Sequence, residues 1–211
     1  MKLNLPNKLT LARMIMVPFL MVFITFDFGL GVWSRLIAAA FFALASFTDF
    51  VDGYIARRDN LVTNFGKFMD PLADKLMVFV ALISLCYVTG RDTIHFELFG
   101  ELVVDEAELV YGVCLLAVTV LVIFRELAVT SMRMVVTNTD GVVIAANYLG
   151  KVKTCVQILF ILTALIEPIF DYDFLGGHVA SYITMIAMAV MTLWSGIVYF
   201  KGYWKYINPS V

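Results

Sequence analysis

The chain has 211 residues, of which 62% are hydrophobic and only 15% charged, with a mean hydropathy of +0.91 and a formal net charge of −2. Ordinary soluble domains carry about 25% charged residues, so the composition argues against a water-soluble globular protein and predicts an integral membrane protein, read as one domain over 1–211. Cys86, Cys114 and Cys155 lie far apart in apolar runs without CxxC or Cys/His spacing. That argues against a zinc site or disulfide framework and predicts reduced, buried thiols.

Six apolar segments follow one another, roughly 9–27, 33–57, 67–90, 108–134, 148–168 and 179–203. Each is near the ~20 residues that span a bilayer, so the predicted fold class is an all-α integral membrane protein of six transmembrane helices. The first segment lacks a small-residue cleavage site and precedes further spans, so it reads as a membrane helix and not a signal peptide. The second loses its charge-free character at Asp49, and the third gains it only after Lys75. The fourth is interrupted at Arg125, and the fifth begins cleanly after Lys153. Charged residues at membrane depth are expensive and normally face a bundle interior or a wet cavity. Four helices are therefore expected to contribute polar ends to one cavity.

Lys and Arg alternate from one connection to the next. Lys2, Lys8 and Arg13 open the first segment, and Arg57, Arg58 and Lys67 fill the second connection. Arg133, Lys151 and Lys153 flank the fourth connection, and Lys201 and Lys205 close the chain. The third connection is instead acidic, with Asp92, Glu97, Glu101, Asp105, Glu106 and Glu108, and is read as a solvated surface. The positive-inside rule then puts both termini, and the aspartates, on the cytoplasmic side. His95 and His178 fall in outer connections and are poor catalytic candidates.

The stretch TDFVDGYIARRDNLVTNFGKFMDPLADKL, residues 48–76, holds Asp49, Asp52, Asp70 and Asp74. In a helix Asp49 and Asp52 share a face, as do Gly66, Asp70 and Asp74 at steps of four. Four carboxylates do not sit together ionised without cations between them. Oxygen-only ligands suit Mg²⁺ or Mn²⁺, and two such ions about 4 Å apart form the clamp used for displacement at phosphorus. Gly53, Ala56 and Gly66 leave room for a bulky group such as a nucleotide, and Arg57 can pair with its phosphates. Pro71 is expected at a first-turn position or at a tolerated kink. The competing structural reading makes the aspartates juxtamembrane caps and partners of Arg57, Arg58 and Lys75. It suffices for any one aspartate but not for the phased set.

The pattern Asp49-x2-Asp52-Gly53-x2-Ala56-Arg57-x8-Gly66-x3-Asp70-x3-Asp74 resembles the signature of the CDP-alcohol phosphotransferase family at every fixed position. NLPNKLTLAR, DPLADKL, FRELAVTSMR and LGKVKT resemble the phosphatidylglycerophosphate synthase branch. The resemblance implies six helices, usually in a homodimer, with the active site open to the cytoplasm. It implies two divalent ions on Asp49, Asp52, Asp70 and Asp74, with Asp74 as the base. The cytidine nucleotide falls to Asp52, Gly53, Ala56, Arg57 and Gly66. The implied substrates are CDP-diacylglycerol and glycerol 3-phosphate, and the implied setting is the plasma or inner membrane, with membrane lipid and no nucleic acid as partner. For the acceptor phosphate, Arg125 and Arg133 share a helical stripe, with Thr130 and Ser131 nearby, and Lys151 and Lys153 open the next helix. Positive-inside anchoring is the bland explanation of those four cations. Asn7, Thr10 and Arg13 resemble a family stretch near the active site, with interface anchoring as the rival explanation. The alternatives are the same chemistry with phosphatidylglycerol, inositol phosphate or serine as acceptor, or a divalent-cation transporter. A transporter usually keeps its site near the midplane, whereas these carboxylates gather at one face.

Overall fold

The computed structural model describes residues 5–26, 28–58, 64–96, 102–140, 148–170 and 178–207. Within them the side chains of 5, 6, 50–58, 64, 65, 67, 68, 94–96, 102, 103, 137–140 and 205–207 lie outside the description. The chain forms α1 (Leu5–Thr25), α2 (Val32–Arg58), α3 (Asn64–Thr93), α4 (Glu106–Asp140), α5 (Tyr148–Ile166) and α6 (Val179–Ile207). All six are long and apolar enough to cross a membrane, and the chain is a multi-pass membrane protein.

The polar ends do continue the helices. α3 begins at Asn64 and so carries Asp70, Asp74 and Lys75 within its body. At 35 residues, α4 is about 50 Å long, well beyond the ~30 Å hydrocarbon core. Pro71 sits in the interior of α3, past its first turn, where a membrane helix tolerates the missing N–H because neighbouring helices support the backbone.

Packing follows stripes of small and branched side chains. Ala38, Phe42 and Ala45 of α2 are buried, as are Ala73, Met77, Ala81 and Leu85 at steps of four on α3 and Leu115, Val122, Val129 and Val136 at steps of seven on α4. Small residues at such seams let backbones approach closely where lipid removes the hydrophobic drive. The opposite faces expose large apolar groups, among them Val113, Val120, Phe124 and Leu127 of α4 and Ile183, Ile186, Val190 and Trp194 of α6. That is the pattern of helices whose outer surface meets acyl chains.

The helices close a circuit. α1 lies against α2 and α3, α3 against α4, α4 against α6, α6 against α5, and α5 against α2, with α5 also touching α3. Arg13 meets Asp49 and Asp74, Lys75 meets Thr130, Lys153 meets Glu126 and Arg125 meets Tyr199, so the N-terminal parts of α1, α3 and α5 and the C-terminal parts of α2, α4 and α6 share one end of the bundle.

The fold is the expected all-α membrane bundle of six helices, with one short addition and one correction. In the third connection β1 (Ile94–Phe96) pairs antiparallel with β2 (Leu102–Val104), Ile94 opposite Val104 and Phe96 opposite Leu102. Three-residue strands are too short to show alternation in the sequence. The thiols are not all buried, since Cys155 is exposed and Cys86 and Cys114 are half-buried. At the opposite end of the bundle, with the N-termini of α4 and α6, the acidic residues also have specific partners. Asp105 caps α4 by accepting from the amides of Ala107 (2.9 Å) and Glu108 (3.2 Å). Glu108 meets His178 Nε2 at 2.7 Å, and His178 stacks on Tyr111 with ring centroids 4.4 Å apart. After α5 comes a 3₁₀ turn, Glu167–Ile169. Glu167 accepts from the amides of Ala180 (2.6 Å) and Ser181 (2.7 Å), the first turn of α6.

Candidate active site

The site starts on α1. Asn7, Thr10 and Arg13 recur every three residues and are 6%, 1% and 1% exposed. A long charged side chain is enclosed this way only where partners await it. Arg13 Nη1 donates to Asp49 Oδ1 on α2 and to Asp74 Oδ1 on α3, each at 2.7 Å. Thr10 Oγ1 donates to Asp70 Oδ1 at 2.6 Å. The spacing of Thr10 and Arg13 on α1 thus matches the spacing of Asp70 and Asp74 on α3, one turn apiece, and the contact with α2 adds Asp49.

Asp49 and Asp74 keep 39% and 45% of their side-chain surface open while Arg13 has none. One guanidinium therefore bridges two carboxylates without covering them. Gly66 is buried one turn before Asp70. Asp52, Gly53, Ala56 and Arg57 continue α2 beyond Asp49, but their side chains lie outside the described residues. Among the described residues no three carboxylate, thiol or imidazole groups are gathered closely enough to hold a metal. The donor chemistry nevertheless fits a hard divalent cation. It is all oxygen, partly open to solvent, and two carboxylates already converge within hydrogen-bond length of one nitrogen.

Lys75, the next residue on α3, faces the other way and donates to Thr130 Oγ1 on α4. The Thr130 hydroxyl donates in turn to the Glu126 carbonyl at 2.7 Å. Glu126 binds Arg125 Nη1 at 3.1 Å and also takes Lys153 Nζ of α5. Arg125 and Lys153 are 8% and 5% exposed. From α6 the Tyr199 ring covers the Arg125 guanidinium, 5.3 Å from its centroid. Arg125 Nε and Gln157 Nε2 are buried without a hydrogen-bond partner among the described residues. Arg133 and Lys151 are exposed. The four cations expected to act together thus separate into an enclosed pair and an open pair.

The sequence does not single out the carboxylate that holds the enclosed pair, and it leaves Thr10 and Arg13 between a place near the active site and interface anchoring; their bonds to Asp70, Asp49 and Asp74 put them beside the aspartates. The signal for that placement was present: three polar residues in phase on an otherwise apolar helix. Lys75, a partner for the aspartates only in the competing structural reading, bonds Thr130.

The CDP-alcohol phosphatidyltransferase family model matches residues 3–195, and the chain belongs to that family. A Bacillus subtilis (strain 168) relative named CDP-diacylglycerol–glycerol-3-phosphate 3-phosphatidyltransferase is 39% identical, covering 98% of both chains. Relatives of the same name from Yersinia enterocolitica and Salmonella choleraesuis are each 32% identical, covering 97% and 96% of both chains respectively.

Proposed function

We propose that the chain transfers the phosphatidyl group of CDP-diacylglycerol to sn-glycerol 3-phosphate, giving phosphatidylglycerophosphate and CMP. The observation that carries this reading is the back-to-back arrangement on α3. Asp74 faces a cluster of carboxylates and Lys75 a cluster of cations, at the same end of the bundle. A transferase joining a metal-requiring pyrophosphate to a phosphorylated alcohol needs both.

Asp49, Asp52, Asp70 and Asp74 are assigned to two Mg²⁺ or Mn²⁺ ions, which when bound supply charge neutralisation for the pyrophosphate and the departing CMP. Asp52, Gly53, Ala56, Arg57 and Gly66 are assigned to the cytidine nucleotide. Asp74 takes the proton of the acceptor hydroxyl. The freed oxygen attacks the phosphorus that bears diacylglycerol, and the bond from that phosphorus to CMP breaks. Arg13 fixes Asp49 and Asp74 in orientation from the buried side. Arg125, Arg133, Lys151 and Lys153 bind the acceptor phosphate by charge-assisted hydrogen bonds.

A single domain with both termini and the site on the cytoplasmic side of the plasma or inner membrane, working as a homodimer, completes the reading. Purified protein given CDP-diacylglycerol, divalent metal and a panel of acceptors should release CMP fastest with glycerol 3-phosphate. Faster release with phosphatidylglycerol, inositol phosphate or serine would reassign the acceptor. For orientation, a cysteine introduced in the 92–106 segment should be labelled from outside intact cells, and one near position 60 only after permeabilisation. The reverse pattern would invert the topology.

A further inference from the structure

Arg125 and Lys153 come from different helices, yet one carboxylate holds both. The side chains of Arg125, Glu126 and Lys153 are 9%, 13% and 6% exposed, so the group is enclosed at a depth where charge is costly. Two cations on one carboxylate leave one positive charge in excess. Lys75, tied to the same turn of α4 through Thr130 and the Glu126 carbonyl, brings a second. Donors are left over as well, Arg125 Nε and Gln157 Nε2, and Gln157 stands one turn beyond Lys153 on α5. An enclosed cluster with surplus positive charge and unused donors is balanced by a dianion. Without Glu126 the same cations, one from α4 and one from α5, would repel one another, with no shared carboxylate to fix the distance between them.

We propose that Glu126 is a positioning residue for the phosphorylated acceptor, its carboxylate holding Arg125 and Lys153 together so that their remaining N–H donors meet one phosphate dianion. This rests on the assignment of those two cations to the acceptor, made above. Glu126 itself touches no reacting atom. It acts through Arg125 and Lys153, and its loss should be felt in acceptor binding and not in the chemical step.

The test uses the full chain, purified in lipid–detergent micelles with divalent metal, and measures kcat and the KM of each substrate. Glu126→Gln and Lys153→Gln should each raise the KM for glycerol 3-phosphate on the order of 10- to 100-fold. The KM for CDP-diacylglycerol and kcat at saturating acceptor should stay close to wild type, a split that general damage to the fold would not give. The double variant Glu126→Gln/Lys153→Gln should fall well short of the product of the two single effects, because the carboxylate acts through the lysine. An acceptor KM that is unchanged or lower in Glu126→Gln, while Lys153→Gln raises it, overturns the role of Glu126. A lower value would mean that the carboxylate merely competes with phosphate. An acceptor KM unchanged in Lys153→Gln overturns instead the assignment of the cations. A neutral residue at 126 leaves two buried cations unbalanced and costs stability. Should Glu126→Gln not fold, Glu126→Asp, which keeps the charge one methylene short, decides. A raised acceptor KM at constant CDP-diacylglycerol KM supports positioning, and a wild-type acceptor KM overturns it.

Discussion

The two clusters flanking the cytoplasmic half of α3, in the proposed orientation, are near mirror images in charge. On one side a fully enclosed cation, Arg13, sits between two carboxylates that are 39% and 45% open. On the other a carboxylate, Glu126, sits between two cations that are almost closed off. Each central group offsets part of the surrounding charge and leaves an excess of one sign. The negative excess is open and the positive excess is enclosed; under the proposed function the first suits entry of metal with a lipid-borne pyrophosphate and the second suits discrimination for a small dianion. A buried counter-charge thus serves two ends: it lets like charges gather, and it stops short of neutralising them.

The difference predicts a hierarchy of effects. The largest is removal of metal: excess chelator should abolish CMP release, because clustered carboxylates need cations between them. Full turnover in chelator would end the two-metal assignment. Next comes Asp74→Asn, expected to lower turnover by about 10²- to 10⁴-fold while retaining nucleotide binding better than Asp70→Asn. Near-normal turnover would show that another group takes the proton. Arg13→Gln removes the donor that Asp49 and Asp74 share. Hydrogen bonds to charged groups contribute about 1.5–3 kcal/mol, and the open carboxylates bring the expected loss toward the lower end. Thermal unfolding in detergent reads it, and a wild-type midpoint would make the bridge energetically idle.

Smaller effects test the enclosed–open contrast among the cations. Lys151→Gln and Arg133→Gln alter exposed side chains, so screening by solvent should hold each rise in acceptor KM to about fivefold or less, below that of enclosed Lys153→Gln. Equal effects would erase the distinction. The smallest is expected at the far end. His178→Phe keeps the ring stacked on Tyr111 and loses the bond to Glu108, so stability should fall by about 1 kcal/mol or less with CMP release unchanged. A large drop in turnover would tie that end to the chemistry.

What could be read in advance divides along physical lines. The six spans and the alignment of Asp70 with Asp74 follow from periodicity within one segment, and periodicity is a property of sequence. Pairing across helices is not. Nothing in a linear pattern says that Arg13 reaches α2 and α3 together, since that depends on how α1 is rotated against both. Glu126 was hidden differently. It lies beside Arg125, and neighbours on a helix face directions about 100° apart, so pattern reasoning sets them on different faces. A long arginine side chain closes that gap. The 94–104 hairpin escapes because it is too short to carry a period, and its acidic residues point only to a solvated surface or a cation, not to strands.

Glu167 bears on how the bundle is assembled. The first amides of a helix lose water as they enter hydrocarbon, and each left unpaired there costs several kcal/mol. The amides of Ala180 and Ser181 are already paired with the Glu167 carboxylate, supplied by the turn that ends α5, and a negative charge at a helix N-terminus is favourable besides. The start of α6 is therefore capped by a carboxylate at the end of its own sequence neighbour α5, so the turn between these two helices needs no other helix to pair those two amides.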